Sequence, residues 1–272
     1  MGDMQLAAAA WSFRGATLAE SAALWRALGI HAMDLIAPPG GLLDSRAIER
    51  DPQGQARRVN DVGMEISNII YMFGGAFDDR PLTSPDPAVR AQNMEAFKPA
   101  VEFCQAARIP SILVLPGIDH ADVPHADSLK RSADTMNAMA EIASPAGVML
   151  IFEPHMESVL ESPVETLAFM QQNPALKIAL DYSHFVAQGH APSDVDPLAP
   201  FAGHVHLRQG AKGHLQAEWE KGEIDFPAVI GLLKQHNYRG YVALEYEHDP
   251  WLDLVDVMTE SILMRDAVAP LL

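Results

Sequence analysis

The sequence predicts an α/β fold, a single (β/α)8 TIM barrel over residues 1–272 with its active site at the C-terminal strand ends. Three observations predict it. Eight short apolar runs alternate with longer amphipathic segments from one end of the chain to the other. Eight such units in 272 residues match the usual size of this fold, about 250 residues. The rival is a doubly wound open sheet, but WSFRGATLAES after the first run is not the glycine-rich G-x-G-x-x-G phosphate fingerprint. No linker, low-complexity tract or domain boundary interrupts the pattern, and the β-then-α unit is the only internal repeat.

The first run, LAAAAWSF (6–13), precedes the helical stretch TLAESAALWRALG (17–29), where Thr17 suits a cap and Gly29 a stop. HAMDLIA (31–37) and EISNIIYMF (65–73) are the second and third strand candidates. The longest helix candidate, 87–109, leads to SILVLPG (111–117). The next helix, 126–147, ends in Pro and Gly before VMLIFEPH (148–155). SPVETLAFMQQNP (162–174) opens with Ser-Pro and carries Glu165 at the capping-box position, before KIALDYSH (177–184). GHVHLR (203–208) follows. DFPAVIGLLKQHNYRG (225–240), capped by Asp225 and stopped at Gly240, leads to GYVALEYE (240–247). A last helix is expected near 253–268.

The charge balance, 19 Lys+Arg against 36 Asp+Glu for a formal net of -17, repels phosphate backbones and acidic membrane surfaces. Nucleic acid and membrane are therefore not expected as partners. The one cysteine, Cys104, excludes an internal disulfide and a cysteine metal cluster, and VEFCQAA reads as a buried helix face. No apolar run approaches the ~20 residues that cross a bilayer. The start, MGDMQLAAAAWSF, lacks the basic region of a signal peptide. A soluble cytoplasmic protein is the expectation.

Four consecutive late strands end in residues that ligate metals. VMLIFEPH delivers Glu153, KIALDYSH Asp181, GHVHLR His206 and GYVALEYE Glu245. In a parallel barrel such ends converge on one mouth. Three carboxylates and an imidazole there call for a cation, because packed carboxylates without one must take up protons. Oxygen-rich ligation suits Mn²⁺, Mg²⁺ or Co²⁺ first, then Zn²⁺ or Fe²⁺. Each residue also has a structural alternative. Glu153 could be a helix-facing charge, Asp181 suits a helix cap, His206 could be a satisfied core histidine like His204 on the same strand face, and Glu247 competes with Glu245. Trp11, Tyr71, Asp119 and His120 end early strands and could shape the pocket. His155 joins His120 as a candidate for substrate contact, Trp219 for a lid, and His214 and His248 read as surface residues.

E-P-H after the fifth strand, LDYSHF after the sixth, HVHLR at the seventh and GEIDFPAVIGLLKQHNYRGYVALEYE through the eighth resemble the xylose isomerase-like TIM-barrel superfamily. That group includes ketose 3-epimerases, hydroxypyruvate isomerase, inosose dehydratase, 3-dehydroshikimate dehydratase and endonuclease IV. The resemblance covers the whole chain in layout and is specific over about 148 to 247. It implies one divalent metal ion held by Glu153, Asp181, His206 and Glu245, and selects His206 over His204 and Glu245 over Glu247. It matches His184 to a histidine that contacts substrate oxygen. Lys212 stands where the epimerases carry an arginine, with Arg208 closer in, so both are candidates for gripping substrate. Gln209 replaces the family acid of H-L-K-D. The early ends LIAPPG and IIYMFGG lack the additional histidines of endonuclease IV. The resemblance also allows a homo-oligomer.

Such a site would take a small carbohydrate-like substrate. A chelated hydroxy-ketone loses the proton beside its carbonyl to a carboxylate, giving an enediolate. Return of the proton yields epimerisation or isomerisation. The resemblance makes Glu153 and Glu245 the paired acid/bases. Departure of a β-hydroxyl instead would make a dehydratase or lyase acting on a keto-cyclitol, dehydroshikimate-like or keto-glycoside substrate. A non-catalytic sugar- or metal-binding barrel is the third expectation.

Overall fold

Each of the eight apolar runs forms a strand in the computed structural model, which describes residues 4–248 and 252–272. The strands are β1 (Gln5–Ala9), β2 (Ala32–Ala37), β3 (Glu65–Tyr71), β4 (Ser111–Val114), β5 (Met149–Phe152), β6 (Lys177–Asp181), β7 (Ala202–Leu207) and β8 (Tyr241–Leu244). All neighbours pair in parallel, and β8 closes on β1. This is the (β/α)8 barrel that the alternating pattern predicts. The open sheet is excluded, because it would leave β1 and β8 unpaired.

The six expected helices form as α1 (Leu18–Ala27), α4 (Pro87–Ala107), α5 (His125–Ala143), α6 (Pro163–Gln172), α9 (Phe226–Gln235) and α10 (Val257–Val268). Thr17 and Glu20 close a full capping box at α1. Ser162 caps α6, but Glu165 does not complete its box, since its carboxylate is engaged by His125 Nε2 at 2.7 Å. Four short helices complete the set: α2 (Ser45–Arg50), α3 (Pro52–Asn60), α7 (Tyr182–Ala187) and α8 (Pro192–Val195). α7 is buried on every side and shows no amphipathic stripe, whereas α3 carries the start signal of an Asp51 cap followed by Pro52, with Gly54 in its first turn.

Ile70, Leu113, Ile151 and Ala179 pack together as one layer on β3 to β6. Ala7, Ala32 and Ala243 form a second, thinner layer on β1, β2 and β8. The small side chains of that second layer leave room for buried polar groups beside them. Cys104 is buried in α4, as the helix face predicts. No helix among the described residues is long and apolar enough to cross a membrane.

Candidate metal centre

Strand parity explains how the four ligand-type residues meet. Side chains two apart on a strand share a face. Ile151, Ala179 and Ala243 belong to the packed layers, so Glu153, Asp181 and Glu245 follow on the same face. His204 and His206 share a face in the same way. A register shift between Ile178 and Ala179 then sets Asp181 opposite His206; an unbroken register would oppose it to Val205. Glu153, Asp181, His206 and Glu245 are all buried, and each offers a ligand atom within 4.8 Å of the others.

His206 is the hub. Its Nδ1 lies 2.7 Å from Glu153 Oε1 and 3.1 Å from Glu245 Oε2. Its Nε2 lies 3.2 Å from Asp34 Oδ2. Burial opposes a charge on this ring, but Glu245, Glu153 and Asp34 more than offset burial and hold its pKa well above the usual imidazole value. Asp34 also receives His204 Nε2 at 2.6 Å and the Ser67 hydroxyl. Burial works to raise the Asp34 carboxyl, yet His204 and His206 hold it well below the carboxylate range. Asp34, His204 and His206 form a second candidate ligand group beneath the first.

The sequence reading passed over Asp34. The available signal was a lone carboxylate in the middle of an apolar strand, HAMDLIA, since a buried charge requires a partner. A second register shift, between Met33 and Asp34, re-aims it.

Arg208 closes the other side. Its Nη2 donates to Asp181 Oδ2 at 2.9 Å and lies 3.4 Å from Glu245 Oε2. Nη1 donates to Glu247 Oε1 at 3.1 Å and Nε to Ser183 Oγ at 3.0 Å. Asp181 serves two ends: Oδ1 accepts from Ser183 N–H and caps α7, while Oδ2 faces the cluster. The capping and ligand readings thus hold together. Arg208 Nη2 also donates to His184 Nε2 at 3.1 Å. A guanidinium has no acceptor, so His184 Nε2 accepts and Nδ1 carries the proton. That Nδ1 is buried without a partner. Burial depresses His184 to about 3, so the ring is neutral.

These groups floor a cavity of about 630 Å³ lined on its other sides by Trp11, Ile36, Met72, Phe77, Leu115 and Leu215, with His155, His184, Arg208, Glu153 and Glu245 at the base. His155 packs its ring 4.9 Å from Phe77 and 5.9 Å from His184. The residues present fit a divalent cation. Glu245 Oε2 is buried with no aligned donor, although two cationic groups lie near it. The donor set of three carboxylates and one imidazole nitrogen is that of a hard-to-borderline metal.

Other candidates lie elsewhere. Lys212 is exposed, with its stem against Gly189 and its N–H on Glu223. Tyr71 is core, its hydroxyl on Glu49. His120 contacts Thr83, and Asp119 contacts His125. Trp219 stacks on Phe226, and its N–H donates to Glu260. His214 pairs with Asp253 at the surface, and His248 is exposed.

A family model described as xylose isomerase-like TIM barrel matches residues 22–266. The 2-oxo-tetronate isomerase of Pectobacterium atrosepticum is 22% identical over 173 residues, covering 57% of this chain and 65% of the relative. The L-ribulose-5-phosphate 3-epimerase of Shigella sonnei is 28% identical over 197 residues, covering 69% and 66%. The chain thus spans about two thirds of the length of these curated relatives. Among solved structures, an L-ribulose 3-epimerase superposes with a TM-score of 0.75 at 20% identity, covering 98% of this chain and 94% of that one. At that identity the likeness speaks for the fold.

Proposed function

The chain belongs to the xylose isomerase-like TIM barrel family, and from that premise we propose that it is a divalent-metal-dependent isomerase or epimerase of a keto-sugar or small hydroxy-carbonyl compound. One observation carries the reading: Glu153, Asp181, His206 and Glu245 gather within 4.8 Å of one another at the base of a cavity of about 630 Å³. The named relatives, an isomerase and an epimerase of such compounds, support it.

Glu153, Asp181, His206 and Glu245 would hold the ion, with Mn²⁺, Mg²⁺ or Co²⁺ the preferred occupants. When bound, it supplies a Lewis acid that polarises a carbonyl and acidifies the adjacent C–H. Glu153 and Glu245 line the cavity from different strands, and one takes the proton that the other returns. His184 offers its Nδ1–H to a substrate oxygen. Arg208 ties Asp181 and Glu247 together and fixes the carboxylate geometry. Asp34 orients His206 by accepting from Nε2, which leaves Nδ1 toward the cavity. The apolar part of the wall, Trp11, Ile36, Met72 and Leu115, would keep water from the reacting carbon.

The test is solvent exchange. Metal-loaded protein is incubated with ketoses and keto-cyclitols in D₂O, and products are read by mass and NMR. Deuterium beside the carbonyl without change in formula is the expected result. Loss of water would turn the reading to a dehydratase. Absence of exchange with every compound, in protein shown by metal analysis to be loaded, would overturn catalysis.

A further inference from the structure

We infer that the substrate is uncharged and deoxygenated at its metal-distal end, a deoxy-ketose or an apolar keto-glycoside, and neither a sugar phosphate nor a sugar acid. The inference rests on the cavity being the substrate site, as proposed above, and its evidence is the charge and polarity of the walls.

The acidic balance comes first. Glu153, Glu157, Glu245 and Glu247 line the cavity, and Asp181 lies directly beneath. Against these five carboxylates stands one guanidinium, Arg208, already within 3.4 Å of Asp181, Glu245 and Glu247. A divalent ion in the base still leaves negative charge in excess. Lys212, the other candidate for gripping substrate, is exposed and lies outside the cavity lining. Among the described residues no other lysine or arginine lines the cavity, and residues 1–3 and 249–251 include neither type. A phosphate dianion would enter an acidic chamber with no free partner.

The approach is acidic as well. An adjoining groove of about 510 Å³ shares Phe77 and Glu157 with the cavity and adds Asp78, Asp119 and Glu161. Glu157 is held at φ 70°, a region in which side-chain-bearing residues are uncommon, with its N–H on Glu161 Oε2 at 2.9 Å. A carboxylate kept in that conformation at the junction of groove and cavity points to a role at the entrance.

Polarity then fixes the distal end. Beside the metal base the lining includes an apolar tract of Trp11, Ile36, Met72, Phe77, Leu115 and Leu215, next to the polar Glu157, Glu247 and His155. Apart from the Trp11 indole, the side chains of that tract offer no hydrogen-bonding group. A hydroxyl set against them loses its water partners without replacement, whereas a methyl or apolar substituent fills the space favourably.

The experiment uses one skeleton in three states: 6-deoxyfructose, fructose and fructose 6-phosphate. Binding to the Mn²⁺-loaded full chain is measured by calorimetry, with deuterium exchange read in parallel. The expected order places 6-deoxyfructose roughly ten-fold tighter than fructose, and fructose on the order of a hundred-fold tighter than the phosphate. Glu157→Lys, which reverses the charge at the junction of groove and cavity, is expected to narrow the phosphate gap by about ten-fold. The inference is overturned if the phosphate binds as well as fructose, if the deoxy compound gains nothing, if none binds, or if Glu157→Lys leaves the gap unchanged. The two readings fail separately. The expected binding order without exchange sinks the isomerase reading and keeps the substrate class. Exchange that favours the phosphate keeps the isomerase and sinks the substrate class.

Discussion

The two halves of the barrel wall use the same stations for opposite purposes. On β3 and β4 the residues two past the packed layer are Met72 and Leu115; on β5 and β6 they are Glu153 and Asp181. The parity is identical and the chemistry is not. Around the mouth β1 to β4 present Trp11, Ile36, Met72 and Leu115, whereas β5 to β8 present Glu153, Asp181, His206 and Glu245. In the proposed reading the late half performs the reaction and the early half reads the substrate. Asp34 is the exception, an early-strand carboxylate that reaches across to His206. In the same reading the late half depends on one residue of the early half to orient His206.

The comparison breaks most severely at Glu153. Glu153→Gln keeps the side-chain shape but removes the charge and the proton acceptor. Turnover is expected to fall by roughly 10²–10⁴-fold or more, with reduced metal affinity. Steady-state kinetics with metal analysis checks this, and wild-type activity in the variant would remove Glu153 from the machinery.

Next is the bridge between the halves. Asp34→Asn removes the acceptor charge behind His206 Nε2 while retaining volume. Loss of an outer partner of a ligating histidine typically weakens metal binding by roughly 10–100-fold. A metal titration is expected to show that loss, with Asp34→Glu recovering part of it. An unchanged titration would make Asp34 a packing feature only. In the same assay His206→Ala is expected to lose far more metal than His204→Ala. The reverse order would move the site down to the Asp34–His204–His206 group.

How much of this was legible in the sequence follows from the kind of contact involved. Glu153, Asp181, His206 and Glu245 were readable because each interrupts an apolar run at its end, and a barrel brings such ends together. Asp34 was not, because its partners His204 and His206 lie 170 and 172 residues away and meet it only when the barrel closes. The choice of His206 over His204 needed the resemblance, since parity puts both on one face. Arg208 and Lys212 were equal in sequence. The turn after β7 separates them, burying the first and exposing the second. α7 left no signal because a six-residue helix buried all round has no polar face to mark its period.

A milder change sharpens the division from the early side. Met72→Lys sets a cation in the apolar wall, opposite the reactive groups. Metal affinity and kcat are expected to stay close to wild type, while KM for an uncharged substrate rises by about ten-fold. An equal fall in kcat would mean that the wall takes part in the chemical step, and the division of labour between halves would fail.

The smallest effect lies where the halves are strapped together at the rim. His125, at the start of α5, has Nδ1 2.7 Å from Asp119 Oδ2 after β4 and Nε2 2.7 Å from Glu165 Oε1 on α6. Both nitrogens face carboxylates, so only the doubly protonated ring donates to both. Partial burial pulls its pKa down, but Glu165 and Asp119 prevail and raise it above 6.5. A raised folded pKa means stabilisation that is fully present below the unfolded value and lost as pH rises through the folded one. The window therefore opens near pH 6.5 and extends upward. The ring is 42% exposed, so solvent screens the pair, and the contribution is about a few tenths of a kcal/mol, on the order of 1 °C in Tm for a chain of this size. Thermal melts from pH 5.5 to 8.5 are expected to show that decline in the wild type and a flatter profile in His125→Gln. Matching slopes in the two proteins would mean that the strap carries no charge and that a neutral ring donates to only one of the two carboxylates.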